Sequence, residues 1–191
     1  MEAGISKFKC ATIAEAEMLS TLNVPDLLLS YQPVGPKIQR LISLIKNYPV
    51  TKFSCLVDNS ISALQISEQA VSSGVNIAVY IDINVGMNRT GILPGRDAIE
   101  LYKFCSLLPA IEVAGLHEYD GHICDEDINT RGKRCDEAFA DVERIWNELI
   151  YEGYNEPTIV AGGSPTFPVH AKREKVECSP GTFVYWDGGY S

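Results

Sequence analysis

Hydrophobic residues in this chain follow two alternating patterns. Apolar runs of about four to eight residues are typical of buried strands, whereas apolar positions that recur every three or four residues are typical of amphipathic helices. The runs predict strands at 7–13, 25–31, 51–58, 75–83, 111–119, 157–163 and 175–179. The helical periodicity predicts helices at 14–22, 37–48, 61–73, 96–108 and 129–152. This alternation is typical of parallel strands covered by helices.

The helix predictions rest on apolar faces and on end signals. One face of segment 129–152 carries Phe139, Val142, Ile145, Trp146 and Leu149. Segment 61–73 follows Asp58, Asn59 and Ser60, which are residue types that cap helix N-termini. The same segment ends at Gly74, and glycine suits a helix C-terminus.

Two architectures fit this pattern: an open doubly wound sheet, or part of a (β/α)8 barrel. A full barrel takes about 250 residues, and this chain has 191. Glycine-rich loops follow the fourth to seventh predicted strands, as in a barrel, whereas a dinucleotide-binding fold concentrates them after its first strand. The sequence therefore favours an incomplete TIM-type barrel. It forms one domain over residues 1–191, because no linker-like or repeated segment interrupts it.

Composition narrows the class of partner. The formal net charge is −9, with 46% hydrophobic and 21% charged residues, which is ordinary for a soluble domain. An acidic chain lacks the basic face that nucleic-acid binding needs, and no apolar run approaches the ~20 residues that span a bilayer. Six cysteines without a paired framework predict reduced thiols in a cytoplasmic protein. We therefore expect a small-molecule partner, not nucleic acid or a membrane.

Arg89 is the first candidate binding residue. It lies in the loop NVGMNRTG after the fourth predicted strand, and it is the only charged residue between Asp82 and Arg96. A guanidinium is permanently charged and presents planar donors, which suits an anionic oxygen. A surface arginine that caps a helix end is the alternative.

The loop GLHEYDGHI, residues 115–123, gathers ionisable side chains at the end of the fifth predicted strand. Alternation along an extended chain places His117 and Tyr119 on one face, with Glu118 and Asp120 on the other. Such a cluster is suited to proton transfer; the alternative is a polar turn with solvated side chains. The three histidines are too dispersed to define a metal site, so no metal ligand is predicted.

Two later loops have the character of anion sites. In AGGSPT, residues 161–166, two glycines and hydroxyl side chains follow a buried strand, and SPGTF, residues 179–183, is similar. Exposed backbone N–H groups and hydroxyls bind anions, and barrels build phosphate sites after their seventh and eighth strands. A sugar phosphate held by these loops and Arg89 is one open interpretation; simple turns are another.

Together these motifs resemble a known family. The segments IDINVGMNRTG, GLHEYDGHI, GGSPTF and PGTFVYWDGGY, with KCATIAEAEML near the start, are similar to those of the D-threonine aldolase and D-serine dehydratase-like family. The likeness runs in order from Phe8 to Tyr190. It implies a barrel of the alanine racemase N-terminal type that uses pyridoxal 5′-phosphate (PLP).

The resemblance also implies roles for particular residues. The implied cofactor-binding residues are Thr12, Arg89, Tyr119, Gly163, Ser164, Gly181 and Thr182. Arg89 matches the arginine that holds the phenolate oxygen of PLP, and the two glycine-containing pairs match phosphate-binding loops. Tyr119 and His122 belong to the Y-x-G-H signature and are the implied catalytic residues.

The implied activity is that of a lyase acting on D-β-hydroxy amino acids. An aldolase opens the Cα–Cβ bond to give glycine and an aldehyde, whereas a dehydratase removes the Cα proton and expels the β-hydroxyl. Family members doing these reactions also use a divalent metal and commonly dimerise, so a homo-oligomer is expected.

Three departures from the family pattern qualify this expectation. The cofactor-anchoring lysine of the family lies on a strand upstream of KCATIAEAE, and its metal ligands lie in a C-terminal β-domain; neither segment is found in this sequence. Ser179 stands near the position where alanine racemases have an arginine. We therefore expect a barrel lacking its first unit and a chain that is inactive alone. A racemase-like or a non-catalytic PLP-binding protein remains the alternative.

Overall fold

Seven strands and six helices alternate strictly along the described part of the chain, residues 4–182 of the computed structural model. The strands are β1 (Lys7–Cys10), β2 (Asp26–Leu29), β3 (Lys52–Val57), β4 (Ile77–Ile83), β5 (Ile111–Glu118), β6 (Thr158–Ala161) and β7 (Val176–Cys178). The helices are α1 (Ile13–Ser20), α2 (Pro36–Asn47), α3 (Ser60–Ser73), α4 (Arg96–Ser106), α5 (Ile128–Tyr151) and α6 (Phe167–His170).

Every strand and helix predicted from the hydrophobic pattern is present. The end signals of α3 are confirmed: the Asn59 side chain accepts the N–H of Ser62, and Gly74 ends the helix with φ of 68°. The short helix α6 was not predicted, because its four residues are too few to show helical periodicity. The last sequence motif is described only as far as Thr182, so its continuation lies outside the described residues.

The strands pair in the order in which they occur, from β1 to β7. The registers of β1 with β2, β2 with β3, β5 with β6 and β6 with β7 are parallel. A doubly wound sheet reverses its strand order at a switch point, and no reversal occurs among the seven strands of residues 4–182. The barrel-type prediction is therefore confirmed at the level of topology.

The described residues form two compact units. The first unit comprises residues 4–80 and 101–114, and the second comprises 81–100 and 115–182. Both β4 and β5 are divided between the units, so the carboxyl ends of these strands and the loops that follow them belong to the second unit. Polar side chains at strand ends of the second unit can therefore meet.

Each unit has its own apolar core. The largest fully buried side chains of the first unit are Leu27, Leu29, Ile38, Leu41, Ile66 and Ile77. Those of the second unit are Ile81, Ile83, Leu116, Ile123, Ile145 and Leu149. All six cysteines are free thiols. Among the helices of residues 4–182, none has the length and hydropathy to cross a bilayer.

Candidate functional site

The loop that carries Arg89 is tied back to the end of β4. Oδ1 of Asn84 accepts the backbone N–H of Asn88 at 3.1 Å, and the Asn84 N–H donates to the Ile92 carbonyl at 2.9 Å. Gly91 has φ of +98°, and a Cβ there would lie 2.7 Å from the Asn84 nitrogen. The close return of the loop therefore requires glycine at position 91.

Arg89 lies over the aromatic ring of Tyr119. The guanidinium carbon is 4.8 Å from the ring centroid, which is a cation–π distance. Arg89 is exposed and Tyr119 is half-buried. On the other loop, a Cβ at Gly163 would lie 3.1 Å from the Tyr119 ring, so this glycine allows the backbone to approach the ring closely. Tyr119 thus links the Arg89 loop with the loop after β6.

His122 packs against the Arg89 loop as well. A Cβ at Gly86, which has φ of +118°, would lie 2.8 Å from the Nε2 atom of His122. The Nδ1 atom of His122 is buried and has no hydrogen-bond partner among residues 4–182. A buried imidazole nitrogen normally has a partner, so Nδ1 of His122 is an unsatisfied polar atom beside the Arg89 loop.

The loops after β6 and β7 meet at Ser164. The Ser164 hydroxyl oxygen lies 3.2 Å from the Gly181 N–H nitrogen, 3.1 Å from that of Thr182 and 2.8 Å from the Thr182 hydroxyl. We call Ser164, Gly181 and Thr182 the anion cradle. Its two N–H groups and two hydroxyls offer four donor hydrogens, and the three contacts use three of them. One hydroxyl hydrogen is therefore left to donate to another acceptor.

A buried carboxylate, Asp82, joins the ends of β4 and β5. Its Oδ1 atom lies 2.6 Å from Nδ1 of His117, and its Oδ2 atom accepts the hydroxyl of Thr90 at 2.9 Å. Asp82 and His117 are both nearly inaccessible to solvent. Thr90 directly follows Arg89 in the chain. Its hydrogen bond to Asp82 therefore attaches the Arg89 loop to the end of β4.

A second buried carboxylate, Asp120, directly follows Tyr119. Its Oδ1 atom accepts the Thr166 hydroxyl at 2.7 Å and the Gly163 N–H at 3.2 Å. Its Oδ2 atom lies 3.0 Å from Nε2 of His170 and 3.7 Å from the sulfur of Cys135. Burial alone would raise the pKa of Asp120, but hydrogen bonds from His170 and Thr166 outweigh burial and hold this pKa below its ordinary value.

Asp120, Cys135 and His170 have residue types that bind metal ions, and all three are buried. The group is not apparent in the sequence, because Cys135 and His170 lie 15 and 50 residues beyond Asp120. Metal-bound histidine normally donates its second ring N–H to an acceptor. Nδ1 of His170 is buried without one among the described residues. Burial also raises the pKa of the Cys135 thiol to about 12, so the group forms a hydrogen-bond network in which the thiol is neutral.

All but one of the site residues predicted from the sequence lie in the second unit. The residues that lie in the second unit are Arg89, Tyr119, His122, Gly163, Ser164, Gly181 and Thr182. Thr12 belongs to the first unit, where its hydroxyl accepts the Glu15 N–H at 3.2 Å and caps α1. A solvated polar turn at 115–123 is wrong, because His117, Glu118 and Asp120 are buried.

The strand order and the loops after β6 and β7 define the class of this protein: a parallel β/α barrel-type chain with donor-rich loops at the carboxyl ends of its late strands. The chain belongs to the family of alanine racemase N-terminal domains, whose family model matches residues 1–188. The family resemblance and the fold class predicted from the sequence are thus confirmed.

Among members of this family, the chain is similar to aldolases that are named for D-amino acids. The chain is 28% identical to D-threonine aldolase of Arthrobacter sp over 186 residues, which are 95% of this chain and 48% of the relative. It is 24% identical to 3-hydroxy-D-aspartate aldolase of Paracoccus denitrificans over 186 residues, which are 95% of this chain and 47% of that protein. The crystal structure of D-threonine aldolase from Filomicrobium marinum superposes with a TM-score of 0.91 at 25% identity, covering 100% of this chain and 51% of that one. The chain therefore spans about half the length of these relatives.

Proposed function

We propose that this chain forms the cofactor-binding part of a PLP-dependent lyase that acts on D-amino acids with a β-hydroxyl group. The reaction class is supported by the similarity to D-threonine aldolase and to 3-hydroxy-D-aspartate aldolase. A racemase-like activity is the second candidate, because alanine racemase of Helicobacter pylori is 31% identical over 129 residues, 62% of this chain and 34% of that protein.

The observation that carries the proposal is the meeting of two loops at the anion cradle. Gly181 and Thr182 direct two N–H groups at the Ser164 oxygen, and one hydroxyl hydrogen remains for a further acceptor. A phosphate offers many lone pairs and, as a dianion, no hydrogen of its own, so it suits a cluster in which donors are in excess. The residues present therefore fit the phosphate group of PLP.

Arg89 and Tyr119 fit the ring end of the same cofactor. The exposed guanidinium of Arg89 is held over the Tyr119 ring, so its remaining donors are available to an anionic oxygen such as the phenolate of PLP. The Tyr119 ring forms an apolar wall beside Gly163, next to the anion cradle. Bound PLP stabilises the negative charge that develops on the substrate α-carbon when one of its bonds breaks.

We assign proton transfer to His122 and to the hydroxyl of Tyr119. Nδ1 of His122 is buried and lacks a partner within residues 4–182, while its ring packs on Gly86 of the Arg89 loop. An imidazole can both accept and donate a proton at its ring nitrogens, which suits it to proton transfer. In an aldolase the proton taken is that of the β-hydroxyl; in a dehydratase or racemase it is that of Cα.

A direct test separates this function from its competitors. The purified chain is titrated with PLP, and the bound fraction is treated with borohydride, which links PLP permanently to any lysine it has joined. We expect saturable binding without permanent linkage, since the resemblance assigns the anchoring lysine to an upstream strand. Binding of inorganic phosphate and sugar phosphates without binding of PLP would support an unrelated phosphate-binding barrel. The absence of any binding would contradict the proposal.

Activity is tested on the purified chain. D-threonine and D-3-hydroxyaspartate are incubated with PLP and a divalent metal, and glycine, aldehyde and oxo acid are quantified. Glycine with an aldehyde indicates an aldolase, and an oxo acid with ammonia indicates a dehydratase. Formation of the L-enantiomer alone would favour the racemase.

A further inference from the structure

Asp120 is a buried carboxylate that contacts both ends of one short loop segment. It accepts the Gly163 N–H at 3.2 Å and the Thr166 hydroxyl at 2.7 Å on the same oxygen, Oδ1. Ser164 lies between these two attachment points and belongs to the anion cradle. The Asp120 side chain is 1% exposed, so water competes little for these hydrogen bonds.

We propose, on the basis of the function proposed above, that Asp120 is a positioning residue that fixes Ser164 for binding of the cofactor phosphate. The segment from Gly163 to Thr166 is a loop with no strand partner of its own, and Gly162 before it has φ of +77°. A loop of this kind keeps one conformation only if other groups hold it. The single oxygen of Asp120 does so at both ends.

The same hydrogen bonds decide which donors face the phosphate. The Gly163 N–H points to Asp120 Oδ1 and to the Thr166 hydroxyl oxygen, both at 3.2 Å. It is thus directed into the protein, and Gly163 contributes to the site by its close approach to the Tyr119 ring. The donor left for the phosphate is a hydroxyl of the Ser164 and Thr182 pair, because the N–H groups of Gly181 and Thr182 point to the Ser164 oxygen.

A carboxylate so near an anion site needs its charge compensated locally. Asp120 has four neighbours able to donate: the Gly163 N–H, the Thr166 hydroxyl, Nε2 of His170 and the Cys135 thiol. Nε2 of His170 lies 3.0 Å from Oδ2 of Asp120 and 3.3 Å from Oε1 of the buried Glu118, so the tautomer with its proton on Nε2 can donate to Asp120. The hydrogen bonds of the carboxylate are thus made inside the protein, away from the ligand.

The contribution of the phosphate group to binding affinity is measured with two ligands. Pyridoxamine 5′-phosphate and pyridoxamine differ only in the phosphate, and neither carries the aldehyde that would react with surface lysines. Their dissociation constants are measured by calorimetry on the wild-type chain and on Asp120→Asn, Thr166→Val and Thr166→Ser. Asp125→Asn, which removes a surface contact with Arg134, is the matched control.

We expect the wild-type chain to prefer the phosphorylated ligand. The preference should fall at least fivefold in Asp120→Asn and in Thr166→Val, while the affinity for pyridoxamine changes less than twofold. Thr166→Ser, which restores the hydroxyl, and Asp125→Asn should both keep the wild-type preference. If Asp120→Asn does not fold, the Thr166→Val and Thr166→Ser pair decides, because Val replaces a hydroxyl by a methyl of similar size.

Three outcomes would overturn the inference. An unchanged preference in folded Thr166→Val and Asp120→Asn would mean that the network serves stability alone. A stoichiometric metal ion that purifies with the wild-type chain and is lost in Cys135→Ser would make Asp120 a metal ligand instead. A wild-type chain without any preference for the phosphorylated ligand would contradict the proposed function itself, which distinguishes that failure from the other two.

Discussion

Nδ1 of His117 lies 2.6 Å from Oδ1 of Asp82, and this contact joins the end of β5 to the end of β4 inside the protein. Through its other oxygen, Asp82 also accepts the Thr90 hydroxyl beside Arg89. Asp120, which follows β5, has a similar role toward the loop after β6, because it accepts the Gly163 N–H and the Thr166 hydroxyl. Each of the two loops proposed to bind the cofactor is thus fixed by one buried carboxylate at a strand end.

Replacement of Asp82 by Ala should destabilise the protein. The substitution leaves the buried Nδ1 of His117 and the Thr90 hydroxyl without their acceptor, and an unsatisfied buried polar group costs about 1–3 kcal/mol. We expect the free energy of unfolding in urea to fall by about 2–3 kcal/mol. Asp97→Ala, at an exposed site in the first turn of α4, should cost about 1 kcal/mol or less. Equal losses in the two variants would contradict the role of Asp82.

Arg89→Ala should weaken PLP binding, because the guanidinium is the charged donor nearest the Tyr119 ring in the described loop. A hydrogen bond to a charged group contributes about 1.5–3 kcal/mol, so we expect an increase in Kd of about 10–100-fold. The control is Arg96→Ala, which removes another exposed arginine of the same unit. Fluorescence titration with PLP gives both constants. Similar Kd values for the two variants would rule out the assigned contact.

Introducing a negative charge at Ser164 tests whether the anion cradle binds a phosphate. Ser164→Asp places a carboxylate where two N–H groups converge, so it should occupy those donors and repel a phosphate. We expect loss of detectable pyridoxamine 5′-phosphate binding, measured by calorimetry. Ser164→Ala removes one hydroxyl without adding charge and should raise Kd about tenfold or less. Wild-type affinity in Ser164→Asp would show that the loop is only a turn.

A comparison of alanine substitutions at Gly91 and Gly95 distinguishes the effect of backbone strain from the effect of a steric clash. Both have positive φ, of +98° and +140°, but only at Gly91 would an added Cβ meet other atoms, the nearest being the Asn84 nitrogen at 2.7 Å. Gly95→Ala should cost about 1 kcal/mol of stability and leave PLP binding unchanged. Gly91→Ala should cost more and also displace Arg89, raising the Kd for PLP about tenfold. Thermal unfolding and the PLP titration report the two effects, and identical behaviour of both variants would refute the distinction.

The pKa of Asp120 predicts how stability depends on pH. Its pKa in the folded chain is held below the ordinary value of 3.8, so the folded protein binds fewer protons at this site than the unfolded chain does. The contribution of Asp120 to stability is therefore complete above the ordinary pKa and is lost as pH falls through the lowered one. The groups that face it are His170, Cys135 and, through His170, Glu118.

Urea unfolding at pH 7 and pH 3 measures this dependence. The wild-type chain should lose more stability over this interval than Asp120→Asn, which has no proton to gain at this position. Asp125→Asn serves as the control and should follow the wild-type chain. A wild-type and an Asp120→Asn curve with the same slope would show that Asp120 has an ordinary pKa.

Much of the fold follows from the hydrophobic pattern. The apolar runs and helical faces predicted every strand and all helices except α6, because burial on a sheet or against it imposes a period that is visible in a single sequence. The candidate loops were also visible, because Gly86, Gly91 and Gly163 mark close backbone approaches. The partners of Asp120 were not, because Cys135 and His170 lie on helices whose packing brings them back to the strand end.

The sequence by itself determined the alternation of strands and helices, the family, and the residues Arg89, Tyr119 and Ser164 as candidates for anion binding. Only the tertiary structure decided which of these meet, and that Asp82 and Asp120 are buried supports of the loops rather than solvated members of polar turns. The physical reason is that apolar periodicity is local, whereas the hydrogen-bond partners of a buried carboxylate come from segments far apart in the chain.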